Sequence, residues 1–157
     1  MEGGVEGRIG YQMKRVQHAL RTQMDEVLRG IGVTTPQYAA LSALEATPGL
    51  SGAELARRDF VTAQTMNAIL VNLETAGLVT RRSHPEHGRV LQAYLTGAGE
   101  ELVARAHGVV EAIERRMLEG LGGDDQRRLL EALRNCADAL EAGVGRATSG
   151  VGAERDP

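Results

Sequence analysis

Residues 51–79 read SGAELARRDFVTAQTMNAILVNLETAGLV, and this stretch decides the fold. Ser51 and Glu54 have the Ser-x-x-Glu spacing of a capping box, which predicts a short helix that ends near Arg58. Thr62 is a suitable N-cap for a second helix, which the Ala-Gly pair before Leu78 ends. The apolar stripe of that helix is formed by Met66, Ile69, Leu70 and Leu73. Two short helices joined by a tight turn are predicted, the arrangement of a helix-turn-helix motif.

A β-hairpin is predicted immediately after these helices. Residues 78–82 and 89–95 have the character of strands, and the polar loop 83–88 between them is flanked by arginines. A hairpin in this place is typical of the winged helix-turn-helix, in which the second helix enters the major groove and the wing reaches the backbone or the minor groove. The expected fold class is mainly α with a small β-hairpin wing.

Long amphipathic helices are predicted on both sides of this head. Residues 9–31 form the first, and residues 97–141 form two more, interrupted at Gly122-Gly123-Asp124. A helix opened by Thr35-Pro36 begins the head, which spans residues 34–96. The terminal helices have more apolar surface than so small a head covers, so we expect them to close a two-fold dimer. Residues 1–8 are expected to be flexible and 143–157 to be disordered.

Composition limits the remaining classes. The 157 residues are 42% apolar and 25% charged, which indicates one globular domain and excludes a disordered chain. No apolar run approaches the roughly 18 residues of a membrane span, and the N-terminus lacks the pattern of a secretory signal. We therefore expect a cytoplasmic protein with no membrane partner. The single cysteine, Cys136, excludes an intrachain disulfide framework.

Charge is distributed unevenly along the chain. The formal net charge is −3, but residues 57–96 carry five arginines against three acidic residues and are the only net-basic segment. Arginine suits forked contacts with phosphate or a guanine edge, although a solvated face would explain the same charges. The basic segment coincides with the predicted helix-turn-helix and wing, which favours a DNA-binding function.

Several motifs in this order resemble the MarR family of winged-helix transcriptional regulators. They are Thr35-Pro36-Gln37-Tyr38, residues 51–58, residues 73–79 and Leu95-Thr96-Gly97-Ala98-Gly99. The family's wing pattern is Asp-x-Arg, five residues, then Leu-Thr-x-x-Gly, and here Arg89, Leu95, Thr96 and Gly99 fit it. His87 stands where the pattern has Asp, and an imidazole cannot supply a carboxylate to an arginine. The resemblance covers residues 9–141 and implies a homodimer that binds palindromic double-stranded DNA, with Arg89 as a minor-groove or phosphate contact.

Candidate DNA contacts lie on the second helix of the motif and on the wing. Four polar side chains at the start of the helix are expected to approach bases or phosphates, namely Thr62, Gln64, Thr65 and Asn67. Gln64 and Asn67 are the expected base readers, because a carboxamide can pair with adenine. The basic residues expected to meet the backbone or the minor groove are Arg57, Arg81, Arg82 and Arg89, with His87 beside them on the wing.

The resemblance also implies a small aromatic effector. Family members bind aromatic and phenolic acids in a crevice between the dimerisation helices and the head, and such a site needs an apolar wall with a few polar groups. The candidates here are Tyr11, Arg15, His18, Tyr38 and Leu41. The two tyrosines would flank a ring, and Arg15 or His18 would meet a carboxylate. The alternative is that Tyr11 and Tyr38 only pack the helix junction, with His18 in the dimer interface.

Other functions find less support in the residues. His84-x-x-His87 invites a zinc site, but it has no cysteine and no clear carboxylate companion beyond Glu86, so no metal or other cofactor is expected. Cys136 lies on the apolar face of the last helix, where a buried thiol is favoured over a redox sensor. No phosphate loop or nucleophile motif appears, so no enzyme activity is expected. The main alternative is a winged-helix protein adaptor that does not read DNA.

Overall fold

The computed structural model describes residues 4–149, and the side chains of residues 4–143. A short 3-10 helix, Val5–Gly7, precedes the first α-helix. The α-helices of the described chain are α1 (Ile9–Gly30), α2 (Thr35–Ala46), α3 (Gly52–Arg58), α4 (Ala63–Thr75), α5 (Gly97–Met117) and α6 (Gly123–Ser149). The strands β1 (Val79–Ser83) and β2 (Leu91–Leu95) form an antiparallel hairpin in which Val79 faces Leu95 and Ser83 faces Leu91. The predicted fold class is confirmed.

The chain divides into two compact units, and the boundary lies between Glu114 and Arg115. The first unit contains the core. Its large side chains with no exposed surface come from α1 to α5 and are Leu28, Leu41, Leu55, Met66, Leu70, Leu73 and Val103. The stripe predicted for α4 is therefore the face that packs into this core. The second unit contains the end of α5 and all of α6.

Helix α2 begins one residue earlier than predicted. The N-cap is Thr34, whose side chain accepts from the Gln37 backbone while the Gln37 side chain accepts from the Thr34 backbone. Thr35 is instead the first helical residue and nearly buried, and its hydroxyl donates to Asp25 of α1. The capping oxygen must belong to the last extended residue, and that residue is Thr34.

The ends of the chain also differ from the prediction. The backbone of residues 143–149 continues α6 as a helix, where disorder was predicted, because an established helix adds one backbone hydrogen bond for each further residue. Residues 150–157 lie outside the described residues. Of the predicted flexible segment 1–8, residues 1–3 also lie outside them, and residues 5–7 form the 3-10 turn.

Helix α6 presents its apolar face to solvent in the protomer. Its leucines at 129, 130 and 133 are 39%, 50% and 42% exposed, and Leu140 is 73% exposed. The prediction that Cys136 is buried is wrong for the protomer, because this thiol lies on the same uncovered face and is exposed. The periodicity of α6 identifies its apolar face correctly, but nothing in its own unit covers that face.

The helices of the described chain do not have the character of membrane spans. None of those within residues 4–149 combines the length and the apolar character that a bilayer crossing requires.

Candidate nucleic-acid interface

The N-terminal end of α4 presents polar side chains outward. Thr62 caps the helix: its Oγ1 accepts from the backbone N–H of Thr65 at 3.1 Å and donates to the Thr65 hydroxyl at 2.9 Å. Thr62, Gln64 and Thr65 are all exposed, while Met66 next to them is wholly buried and fixes the rotation of the helix. The burial of the stripe therefore leaves the predicted contact residues facing solvent.

The turn before α4 carries an exposed aromatic residue that the sequence reading missed. Phe60 is 90% exposed and has a φ of +55°, a left-handed conformation that is unusual for a bulky side chain. The backbone reverses here so that Val61 N–H can reach the carbonyl of Ala56 at 3.0 Å. A lone Phe in a leucine-rich chain would be expected in the core. Only the tertiary geometry of the turn shows that it is not there.

Arg81 lies between the wing and α4. Its Nε donates to Glu74 Oε2 at 2.8 Å, its Nη2 lies 2.7 Å from the same oxygen, and its Nη1 donates to Asn67 Oδ1 at 2.9 Å. Only 15% of the Arg81 side chain is exposed. The expected contact between Arg81 and the DNA backbone does not fit this arrangement, because the guanidinium is already shared by a carboxylate and a carboxamide of its own chain.

Arg82 lies on the opposite face of β1 and is exposed, as the alternation of a strand requires. Its guanidinium carbon lies 5.0 Å from the centre of the Tyr94 ring, which holds the arginine by a cation–π contact. Arg57, in the last turn of α3, and Arg89, in the wing loop, are exposed too. Three of the four predicted arginines are therefore available to a partner.

The tip of the wing is organised around His84. Its Nδ1 accepts from the backbone N–H of Glu86 at 3.1 Å and of His87 at 3.2 Å. The two imidazole rings lie 5.1 Å apart, and His87 is exposed. Within residues 4–143, no cluster of three or more histidine, cysteine or carboxylate side chains is placed to hold a metal ion. The histidines shape the loop that carries Arg89.

The Leu-Thr-x-x-Gly motif joins the wing to α5. The Thr96 hydroxyl donates to the Gly77 carbonyl at 2.7 Å and accepts from the Gly99 N–H at 3.1 Å, while the Thr96 N–H donates to the Leu78 carbonyl at 3.0 Å. A Cβ on Gly99 would lie 3.1 Å from the Leu78 carbonyl carbon and closer still to its oxygen. Glycine is therefore required at 99 by space. Gly77 is in the left-handed conformation, with a φ of +72°, which ends α4 as predicted.

The predicted effector residues are distributed over α1 and α2. Arg15 and His18 are exposed, Tyr11 is half-buried, and Arg15 donates to Gln12 at 3.0 Å. Leu41 has no exposed surface in the protomer, so it does not fit a direct ligand contact and belongs to the core. Periodicity places Leu41 on the apolar face of α2 but does not show how deep it lies.

Tyr38 belongs to a chain of polar contacts that links α2 to α5. Its hydroxyl lies 2.9 Å from His107 Nδ1, and His107 Nε2 lies 2.6 Å from Glu45 Oε2. Burial raises the pKa of Tyr38 above its ordinary value, and the nearby carboxylate of Glu114 raises it further. Tyr38 thus has a structural partner that the sequence did not reveal, because His107 is 69 residues away.

These features define a class of protein. Helix α4 exposes threonine and carboxamide side chains, and the β1–β2 wing carries exposed arginines. Helix α3 and the wing pack on either side of α4, which is the architecture of a winged-helix DNA-binding protein.

Comparison with known proteins identifies the family. The model of the MarR family matches residues 31–90. The HTH-type transcriptional repressor Rv2887 of Mycobacterium tuberculosis is 43% identical over 128 residues, which cover 80% of this chain and 92% of the repressor. The transcriptional repressor CouR bound to a 23-mer DNA duplex superposes with a TM-score of 0.79 at 30% identity, over 87% of this chain and 97% of that one.

Solved structures of the mycobacterial relative add ligands to this comparison. Its complex with DNA superposes with a TM-score of 0.70 at 38% identity, over 83% of this chain and 98% of that one. Its complex with salicylic acid superposes with a TM-score of 0.69 at 39% identity, over 85% of this chain and 99% of that one.

The chain belongs to the MarR family. The predicted family, fold class and function as a DNA-binding transcriptional regulator are confirmed. MarR-family regulators are generally non-enzymatic DNA-binding proteins. This membership favours DNA binding over the alternative of a protein adaptor.

Proposed function

We propose that this protein is a homodimeric, cytoplasmic repressor that binds a palindromic operator and is released from it by a small aromatic acid. The observation that carries the proposal is the joint exposure of the α4 side chains and the wing arginines on a buried, leucine-rich support. In this proposal the protein has no catalytic role, and it regulates transcription by binding or leaving its operator.

The DNA contacts follow from the exposed groups. Gln64 and Thr65 enter the major groove at the N-terminal end of α4, where Thr62 meets a phosphate. Arg57, Arg82 and Arg89 neutralise phosphates on either side of it, with Arg89 at the minor groove. His87 accompanies Arg89 on the wing without the carboxylate of the family pattern, so the loop is oriented by the His84 contacts.

The dimer is supported by apolar surface that the protomer leaves exposed. On α1, Ile9 is 77% exposed, Met13 43% and Val16 50%, at a spacing that follows one helical face. The exposed leucines of α6 form a second such face. Full burial of an exposed leucine side chain contributes about 1.5–3 kcal/mol, and each of these residues gains the part that corresponds to its exposed fraction, so covering both faces with a second copy is favourable. The recognition helices of the dimer are then spaced by about 34 Å to meet successive major grooves.

The effector site is proposed between α1 and α2. Tyr11 and Tyr38 border it, and Arg15 and His18 are exposed on α1 to meet a carboxylate. The salicylic acid complex of the mycobacterial relative supports an aromatic acid as the ligand class. The acid releases DNA only if it binds more tightly to a dimer whose reading heads are wrongly spaced, because its effect equals its differential affinity for the two states.

The test is selection of bound fragments from the source genome, followed by titration of the selected site at several salt concentrations. We expect a palindromic site and an affinity that falls steeply with salt. Leu133→Glu should weaken dimerisation and DNA binding together, whereas Asn135→Glu, about 200° away around α6, should leave both unchanged. A stable monomer at micromolar concentration, or binding without sequence preference, would contradict the proposal.

The effector is tested on the same complex. Salicylic acid should release the operator from the parent protein, and the Tyr11→Ala, Arg15→Ala double variant should resist release. Equal release from both proteins would place the site elsewhere.

A further inference from the structure

The recognition helix carries one side chain whose orientation is set by the wing. Asn67 is exposed on α4, and its Oδ1 accepts from Arg81 Nη1 at 2.9 Å. Arginine has only donors, so the atom that faces it must be the amide oxygen and not the amide nitrogen. The orientation of this carboxamide is therefore fixed by chemistry as well as by geometry.

Arg81 is itself held from the other side. Its Nε and Nη2 both reach Glu74 Oε2, at 2.8 and 2.7 Å. Glu74 follows Asn67 by seven residues, so the two side chains lie on the same face of α4 two turns apart. A carboxylate in the last turn opposes the helix dipole, which makes its pairing with Arg81 the evident stabilising contact at that position.

We propose that Arg81 is a positioning residue that sets the base preference of α4 by holding the Asn67 oxygen and leaving its amide group to face DNA. The proposal rests on the proposed DNA-binding function. An asparagine that reads adenine must accept from N6 and donate to N7. Here Arg81 takes one of the two lone pairs of the accepting oxygen, which leaves only the other for a base. An amide that offers two donors matches the two acceptors of guanine, N7 and O6. Because both amide donors are free and one of the two acceptor sites is taken, we expect Asn67 to read guanine instead of the adenine expected from the sequence.

The same contacts separate Arg81 from the other arginines of the wing. With 15% of its side chain exposed and Glu74 beside it, Arg81 has little charge to offer a phosphate. Arg82, its neighbour on β1, is exposed and stacks on Tyr94. Arg82→Ala is therefore a matched control, since this substitution removes the same charge from the same strand without removing a contact of Asn67.

The experiment measures binding to operator variants in which each base pair is replaced in turn, at several salt concentrations. Arg81→Ala and Asn67→Ala should lose roughly five- to hundred-fold of discrimination at the same base pair of each half-site, and the double variant should lose no more than either alone. The salt dependence of Arg81→Ala should equal that of the parent. Arg82→Ala should weaken all sequences alike and lower the slope of log affinity against log salt by about 0.9.

A second variant keeps the test valid if Arg81→Ala does not fold. Asn67→Asp retains an oxygen for Arg81 and removes both donors, so it should lose the preference for guanine without lowering the unfolding temperature. The order parameter of the Asn67 side-chain amide, measured by NMR without DNA, should be high in the parent and fall in Arg81→Ala or in Arg81→Gln.

The outcomes are distinguishable. The inference would be overturned, with DNA binding left intact, if the base pair that depends on Asn67 required adenine. It would also be overturned if Arg81→Ala, like Arg82→Ala, weakened binding to all sequences alike. A mobile Asn67 amide in the parent would overturn it as well. If the parent binds no DNA sequence preferentially, the proposed function fails, and the role of Arg81 in base preference fails with it.

Discussion

Gly99→Ala is expected to destabilise the protein, although alanine is the better helix former. The new Cβ would lie 3.1 Å from the carbonyl carbon of Leu78 and closer to its oxygen. That carbonyl cannot move aside freely, because it accepts from the Thr96 N–H at 3.0 Å and leads directly into β1. The first turn of α5 must shift instead.

The size of the effect follows from three contributions. Overpacking of this kind costs about 1–3 kcal/mol. The shift also weakens two Thr96 hydrogen bonds, to Gly77 and from Gly99, of about 1 kcal/mol each. Alanine in place of glycine returns up to about 1 kcal/mol of helix propensity. We therefore expect a net loss of about 2–4 kcal/mol in the free energy of unfolding, which lowers the melting temperature by about 5–15 °C.

The assay is thermal and urea unfolding at fixed protein concentration, since dimerisation makes stability depend on concentration. Gly97→Ala is the matched control, because it lies two residues earlier on the same helix and its Cβ would meet no atom within 4 Å. It should stay within about 0.5 kcal/mol of the parent. A Gly99→Ala protein that unfolds at or above the temperature of the parent would refute the role of space at this glycine.

Three further predictions concern single side chains. Burial raises the pKa of the Asp59 carboxyl, and one of its oxygens has no hydrogen-bond partner in the described structure. Ionisation of Asp59 therefore destabilises the fold above the folded-state pKa and has no cost below the unfolded-state pKa. Asp59→Asn should raise the melting temperature at pH 7 and lose that advantage on acidification. The Thr35 hydroxyl lowers the pKa of Asp25, which stabilises the fold above the unfolded-state pKa and is lost as pH falls through the folded-state value. Thr35→Val should therefore raise the pKa of Asp25 in an NMR titration and destabilise the protein at pH 7 more than at pH 3. Phe60→Gly should relieve the left-handed backbone and stabilise the protein by up to about 1 kcal/mol in urea unfolding, whereas Phe60→Ala keeps the strained φ and should not.

The parts of the fold that depend on neighbouring residues were predictable from the sequence. Ser51 and Thr62 cap α3 and α4 as predicted, because a cap needs only a suitable side chain one to three residues from the N–H groups it satisfies. The strands differ by one or two residues from the predicted ranges, since hairpin pairing tolerates small shifts of its ends. The exposed contact residues of α4 followed from its apolar stripe.

The parts that depend on distant residues were not predictable in the same way. Arg81 and Glu74 give no local signal of their pairing, and the prediction for Arg81 relied on its charge alone. The polar partner of Tyr38 comes from another helix, and the exposure of Cys136 depends on what covers α6. A single sequence shows which face of a helix is apolar but not whether that face is covered by its own chain or by another.

Thr96 has a mechanical consequence. Its three hydrogen bonds tie the last residue of the wing root to the residues that end α4 and to the first turn of α5. Because Thr96 contacts all three elements, a displacement of α5 is passed directly to the wing and to the end of α4. A small twist of α5 would be transmitted to wing and recognition helix together, and the distance of each from its groove would change in one step. A release signal therefore needs only to turn α5, without loosening any contact inside the head.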